Sequence, residues 1–433
     1  MNIVLTTVVL FAVFGILLFL GCPISVSILI SSIATALSSL TWEQVSFITM
    51  QKMNSGVESF SLLAVPLFIL AGNIMNNGGI ARRLINFANL FCGRIPGSLA
   101  QANALGNMLF GALSGSSVAA ASAMGSAIYP IQKEEGYDPA FATCVNIASA
   151  PTGLLIPPTS AFIVYSTVAG GVSISALFMA GYIPGLLMGL GTMIVAFLYA
   201  KKHKYPVSGK TNLKEAVKVT LQAIPSLLLI IIVIGGIVGG IFTATEGAGV
   251  CVLYCLILSI CYKSMDMKSF MDILLKSACT SGIILFLISA SSAMSWVMAY
   301  SGIPAAISDG ILSVSTNKYV IFFLMNIILL VIGTFMDITP AILIFTPIFL
   351  PIAQSFGMSS VQFGAVLIFN MCMGNMTPPV GSVLFVACGI TNTTIEQVAK
   401  MLVPYLIVLL LLLLAVTYIP VLSLGLPGLM GLI

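Results

Sequence analysis

Four short stretches combine helix-breaking residues with small oxygen-bearing side chains: FGALSGSSVA (110–119), PTGLLIPPTS (151–160), GTFMDITPA (333–341) and GNMTPPVGS (374–382). Each interrupts an otherwise apolar segment. Proline inside a helix removes a backbone donor and clashes with the preceding turn, at a cost of about 3 kcal/mol. Bilayer core holds no water to replace the lost bond, so irregular backbone there persists only inside protein or beside a wet cavity. Unwinding frees carbonyl oxygens, and Ser114, Ser116, Ser117, Thr159, Thr339 and Thr377 add hydroxyls. An all-oxygen ligand set suits a hard cation, and half-helix carbonyl ends in transporters commonly hold Na⁺. Asp337 is the one carboxylate in these stretches. It could ligate a cation, bind a proton or cap the half-helix that starts near Thr339, and the spacing predicts that it is buried at a hairpin tip. The serine cluster at 114–117 also fits close helix packing, and a lone Pro-Pro fits a kink.

The elements that must position these residues are membrane helices. Hydrophobic residues make up 59% of the 433 and charged residues only 6%, whereas soluble domains carry about 25% charge. We read crossings near 4–20, 24–40, 60–76, 139–170, 176–200, 220–241, 246–262, 278–300, 361–389 and 402–420. Segments 97–131 and 319–352 are read as hairpins that enter and leave on one side. With the N-terminus outside, all but Lys52 and Lys318 of the 16 basic residues fall on the cytoplasmic side, as the positive-inside rule requires. Making either hairpin a full crossing inverts every later loop and destroys that bias.

The chain also repeats itself. Pro378-Pro379 follows Pro157-Pro158 by 221 residues, and the same offset pairs Pro130 with Pro351, Gly136 with Gly357 and Ile174 with Ile395. The amphipathic stretch 42–59 answers 263–277, and NNGGIARRL answers YSGIPAAIS. Residues 1–200 form one half, with hairpin 97–131 and broken helix 139–170. Residues 219–433 form the other, with hairpin 319–352 and broken helix 361–389, and Lys201–Lys218 is the cytoplasmic linker. Five crossings per half is odd, so the second half starts on the opposite side. The expected fold is an all-α polytopic inverted-topology repeat.

Other chemistries find little support. Serine catalysis needs a base beside Ser116, yet the single histidine, His203, sits in the charged loop KKHKYP and reads as a solvated residue. Asp138 lies in an expected loop and gives Asp337 no partner for an aspartyl-protease pair. The nine cysteines show no metal-ligand spacing; Cys251, Cys255 and Cys261 read as packing residues. Glu246, in FTATEGAG, reads as part of a helix N-terminal cap. No phosphate-cradling GxxxxGK[ST] motif is present, and nothing points to nucleic acid.

AVPLFILAGNIMNNGGI (64–80), LFGALSGSSVAAASAMG (109–125), LLIPPTS, GTFMDITPAILIFTPIFLPIA (333–353) and GNMTPPVGSVLFV (374–386) closely resemble the large membrane subunit of TRAP (tripartite ATP-independent periplasmic) transporters. The likeness spans nearly the whole chain in motif order. It departs at Ser117, where alanine is common, and at TATEGA, which replaces a usual proline and alanine; neither change removes an oxygen ligand. The resemblance implies a Na⁺-driven importer of carboxylates, sialic acid or a similar sugar acid before C4-dicarboxylates, in a bacterial inner membrane. It implies a separate small four-helix subunit, a periplasmic binding protein and an elevator motion among membrane lipids. A binding-protein-independent divalent-anion symporter is the nearest alternative. On the paired interruptions we expect one Na⁺ site from Ser114, Gly115, Ser116 and Ser117 with Thr152, Gly153, Pro157 and Thr159. A second combines Gly333, Asp337 and Thr339 with Gly374, Met376, Thr377 and Pro378. Substrate is expected between them, at Ser116, Thr159, Ser160, Thr339, Gly381 and Ser382.

Overall fold

Peptide groups in lipid must be satisfied within their own segment, and helix is the local solution. The computed structural model describes residues 3–77, 80–207, 213–378 and 380–433, and these form helices with no strand. Met1, Asn2, Gly78, Gly79, residues 208–212 of the expected linker and Pro379 of the second double proline lie outside the described residues.

The chain opens with α1 (Ile3–Phe19), α2 (Ile24–Ala36) and α3 (Trp42–Val57). A 3-10 turn at Phe60–Leu63 leads into α4 (Ala64–Asn77), and α5 (Ile80–Cys92) follows. Next come the arms α6 (Ser98–Ser114) and α7 (Ser117–Glu134), then α8 (Pro139–Ser149), α9 (Thr152–Leu155), α10 (Ser160–Val168) and the long α11 (Ile174–Lys202). Beyond the linker run α12 (Leu213–Val238), α13 (Ala244–Cys261), α14 (Met267–Tyr300) and α15 (Ile303–Val314). The second pair of arms is α16 (Lys318–Phe335) and α17 (Ile338–Ser355), followed by α18 (Ser360–Gly374), α19 (Ser382–Thr391), α20 (Ile395–Tyr418) and α21 (Val421–Leu429).

Among the described residues seven helices are long and apolar enough to cross a membrane, or up to nine if each of two bent pairs is one span. Several expected crossings are shorter than anticipated: α2 has 13 residues, and 361–389 is divided between α18 and α19. The linker is also shorter, because α11 runs to Lys202 and α12 begins at Leu213. The stretches 42–59 and 263–277 differ in outcome. α3 and the segment from Phe60 are bent by 64°, whereas 267–300 is one unbroken helix of 34 residues. α21 was not anticipated; it packs against α11. Cys251 and Cys255 are buried as expected, but Cys261 is exposed at the end of α13. His203 is exposed yet stacks on Tyr199, with ring centroids 4.2 Å apart, so it is more than a solvated loop residue.

Packing divides the helices into two groups. α2, α3, α4, α13 and α14 pack on one another, and α12 joins them through α5 and α13. The arms and broken helices form the other group around α6, α8, α11, α18 and α20. Long-range bonds bind this second group across the sequence. Tyr165 Oη donates to Ser360 O at 2.6 Å, Thr143 Oγ1 to Thr391 Oγ1 at 2.8 Å and Tyr129 Oη to Thr391 O at 3.2 Å. An asparagine pair links each first arm to its broken helix: Asn107 of α6 to Asn146 of α8 at 2.9 Å, and Asn370 of α18 to Asn326 of α16 at 2.7 Å. Such buried amides are held because hydrocarbon offers them no other partner.

Candidate functional site

The first break forms because Gly115 adopts φ +60°, a left-handed conformation that ends α6 without Cβ strain. Ser116 is extended and caps α7, its Oγ accepting from Ala119 N at 3.3 Å. Ser114 Oγ turns toward Ser116 O at 3.5 Å. The second break follows the double proline: Leu155 ends α9, Ile156 is extended, and Thr159 Oγ1 caps α10 by accepting from Ala161 N at 3.1 Å. These two breaks touch. A Cβ on Gly115 would lie 3.6 Å from Pro158 O and 3.8 Å from Thr159 Cα.

In the second set, Met336 and Asp337 are extended and separate α16 from α17. Asp337 is exposed, not buried as the sequence suggested, and its side chain makes no capping bond. The tip is open because it faces a cavity. After α18 the chain folds back on Gly381, at φ +41°, where a Cβ would lie 2.7 Å from Asn375 O and 3.2 Å from Thr377 O. Gly381 N donates to Thr334 O at 3.2 Å, so carbonyl oxygens converge on this turn. Ser382 Oγ is buried without a hydrogen-bond partner.

One cavity of ≈ 600 Å³ brings the two halves together. Ser114, Gly115, Ser116, Ser117, Pro158 and Ser160 reach it from the first half, and Asp337, Thr339 and Asn375 from the second. Helices α7, α10 and α17 begin on its wall, and each N-terminus carries about half a positive charge. The arrangement offers hydroxyl and carbonyl oxygens to a hard cation and helix starts to an anion. Among the described residues no cluster of three His, Cys, Asp or Glu could hold a metal. A cation here would therefore rest on peptide and hydroxyl oxygens with Asp337.

Other expected site residues lie off this wall. Thr152 is buried, and its Oγ1 donates to Ser149 O at 2.6 Å. Gly153 crosses α6 so closely that its Cβ would lie 2.2 Å from Gly111 Cα, and Gly374 crosses Gly333 at 2.5 Å on the same measure. These three site glycines serve backbone approach between an arm and a broken helix. Pro157, Thr159 and Met376 are buried within the protein. Thr377 Oγ1 donates to Met373 O at 2.6 Å, and Thr377, Pro378, Gly381 and Ser382 stand behind the wall. Sequence reasoning missed Asn375, Gly72, Asn73, Asn76, Lys276 and Thr280, all on the cavity. Gly72 meets the first tip directly, a Cβ there falling 2.8 Å from Ser114 O. The signal available for Asn73 and Asn76 was amide side chains in the apolar run AGNIMNN.

Comparison with known proteins gives this geometry a context. The family profile of the tripartite ATP-independent periplasmic transporter, DctM component, matches residues 11–422. YgiK of Salmonella typhimurium is 51% identical over 422 residues, covering 98% of this chain and 97% of YgiK. The C4-dicarboxylate TRAP transporter large permease protein DctM of Rhodobacter capsulatus is 35% identical, covering 97% and 99%. The sialic acid TRAP transporter large permease protein SiaM of Vibrio cholerae is 34% identical, covering 95% and 96%. Among solved structures, the Alcanivorax borkumensis YdaH transporter shares the fold with a TM-score of 0.60 at 15% identity, covering 87% of this chain and 89% of that one.

Proposed function

The chain belongs to the DctM family, the large permease subunits of TRAP transporters, and from that premise we propose that it imports an organic acid together with Na⁺. The observation that carries this reading is the single cavity to which both hairpin tips and the first double-proline break contribute oxygens and helix N-termini. Na⁺ held by the tip oxygens orders them, and the ordered helix starts then receive a carboxylate. Two Na⁺ entering with a monoanion provide about 5 kcal/mol at 100 mV and a tenfold Na⁺ gradient, enough for at least ~1000-fold accumulation.

A sugar acid such as sialic acid is the favoured cargo, with a C4-dicarboxylate next. The wall is rich in neutral amides and hydroxyls that suit a polyol, and Lys276 is its one cation among the described residues. A second carboxylate would find no second cation. The two packing groups support an elevator motion, and the matched order of arms and broken helices supports an inverted repeat. On this reading the partners are a small membrane subunit and a periplasmic binding protein, and the site of action is the bacterial inner membrane. Proteoliposome uptake of sialic acid and succinate, with and without Na⁺, small subunit and binding protein, tests the proposal. Accumulation only when all are supplied is expected. Uptake indifferent to Na⁺ defeats it, and uptake needing no binding protein transfers the chain to the divalent-anion symporter type.

A further inference from the structure

α14 carries different chemistry at its two ends. Near its start Lys276, Thr280 and Ile284 recur at every fourth residue and line the ≈ 600 Å³ cavity. Residues four apart share one helix face. The bond from Asn73 Nδ2 to Ser277 Oγ, 2.9 Å long, ties α4 to α14 one residue further on and so fixes the direction of that face. Nearer its end Ser291, Ser292 and Ser295 line a second cavity of ≈ 430 Å³ with Ser55, Ser59 and Thr167. Among the described residues that second wall has no charged side chain, and Ser291 Oγ is buried without a hydrogen-bond partner. Lys276 and Ser291 stand about 22 Å apart along the helix axis, too far for one small acid to touch both.

Lys276 and Asp337 are the only charged side chains on the larger cavity's wall among the described residues. An acid there is attracted by one and repelled by the other. The side on which Lys276 acts follows from its place in the chain: it comes after Lys263 and Lys268 at the basic start of α14, the end that the positive-inside rule puts in the cytoplasm. We propose that Lys276 is a one-sided contact for the cargo. It engages the acid's charge when the hairpin tips face the cytoplasm, and a neutral hydroxyl wall takes its place when they face outward. The cation balances the cargo after Na⁺ has left Asp337, so the acid is not expelled by like charge alone. This inference rests on the transport reading above.

Membrane vesicles of both orientations, carrying the small subunit and given sialic acid or succinate with Na⁺, supply the test; binding protein is added outside the right-side-out set and enclosed in the lumen of the inside-out set. Lys276→Gln is expected to raise the half-saturating acid concentration about fivefold in inside-out vesicles and less than about twofold in right-side-out ones. Lys276→Arg, which keeps the charge, returns the inside-out value to within about twofold of wild type. Equal shifts on both sides, or no shift on either, overturn the inference while leaving wild-type transport intact. Wild-type vesicles that carry neither acid with Na⁺ overturn the transport reading and this inference together.

Discussion

Asp337 and Ser116 both sit at hairpin tips, yet the structure gives them different burdens. Asp337 precedes α17 without capping it and stands exposed on the cavity. Asp337→Asn therefore leaves stability alone: the melting temperature in detergent stays within about 2 °C of wild type. On the proposed Na⁺-coupled reading, the same change is expected to raise the Na⁺ concentration for half-maximal uptake about tenfold, the loss of one charge-assisted ligand. A destabilised protein with normal Na⁺ dependence would instead restore the capping role. Ser116 has two tasks, because its hydroxyl caps α7 through Ala119 N and also lines the cavity. Ser116→Ala should cost about 1 kcal/mol of stability and weaken Na⁺-dependent uptake as well; calorimetry beside an uptake assay reads both, and unaltered Na⁺ dependence removes Ser116 from the site.

At the scale of elements, two glycine crossings lock each first arm to its broken helix. A Cβ on Gly374 would lie 2.3 to 2.6 Å from the backbone of Gly333. Gly374→Val must part α16 from α18, and a loss of about 3 kcal/mol or more is expected, visible as earlier thermal aggregation. Gly249→Ala in α13 is the control, because nothing lies within 4 Å of its Cβ; the two variants behaving alike would contradict the crossing. The breaks themselves were legible in the sequence, since Gly115, the Pro157-Pro158 pair and Gly381 are residue types that ordinary helix does not need. The crossings were not. Gly153, Gly333 and Gly374 carry the same letter whether they expose a carbonyl or admit a neighbouring backbone, and only the partner helix decides. The bend between α3 and α4 and the straight run of α14 were equally hidden, because the sequence shows amphipathic patterns in both places. Lys276 was read as the end of the amphipathic stretch 263–277, outside any site, and Asp337 as buried at its hairpin tip; in both cases the missing fact was a wet cavity.

For the whole molecule, the proposed elevator motion carries one packing group past the other. Ser175 of α11 meets Ile237 of α12 across the two groups, its Oγ donating to Ile237 O at 3.5 Å. A Ser175→Cys, Ile237→Cys double variant in a background without other cysteines should lose at least about nine-tenths of its uptake once joined by a short thiol cross-linker. Cross-linked protein that transports as well as the untreated variant would count against the elevator motion.

The bonds that unite the second group also set terms for biosynthesis. Tyr165, Thr143 and Tyr129 find their partners 195, 248 and 262 residues further along the chain. When the first broken helix leaves the ribosome and enters lipid, the strand of protein that will cover it has not been made. Its loosened turns must shelter for that interval in the insertion machinery or against the first arms. A message truncated at the linker would therefore yield a fragment with bare polar backbone, a natural target for membrane quality control rather than half a working carrier.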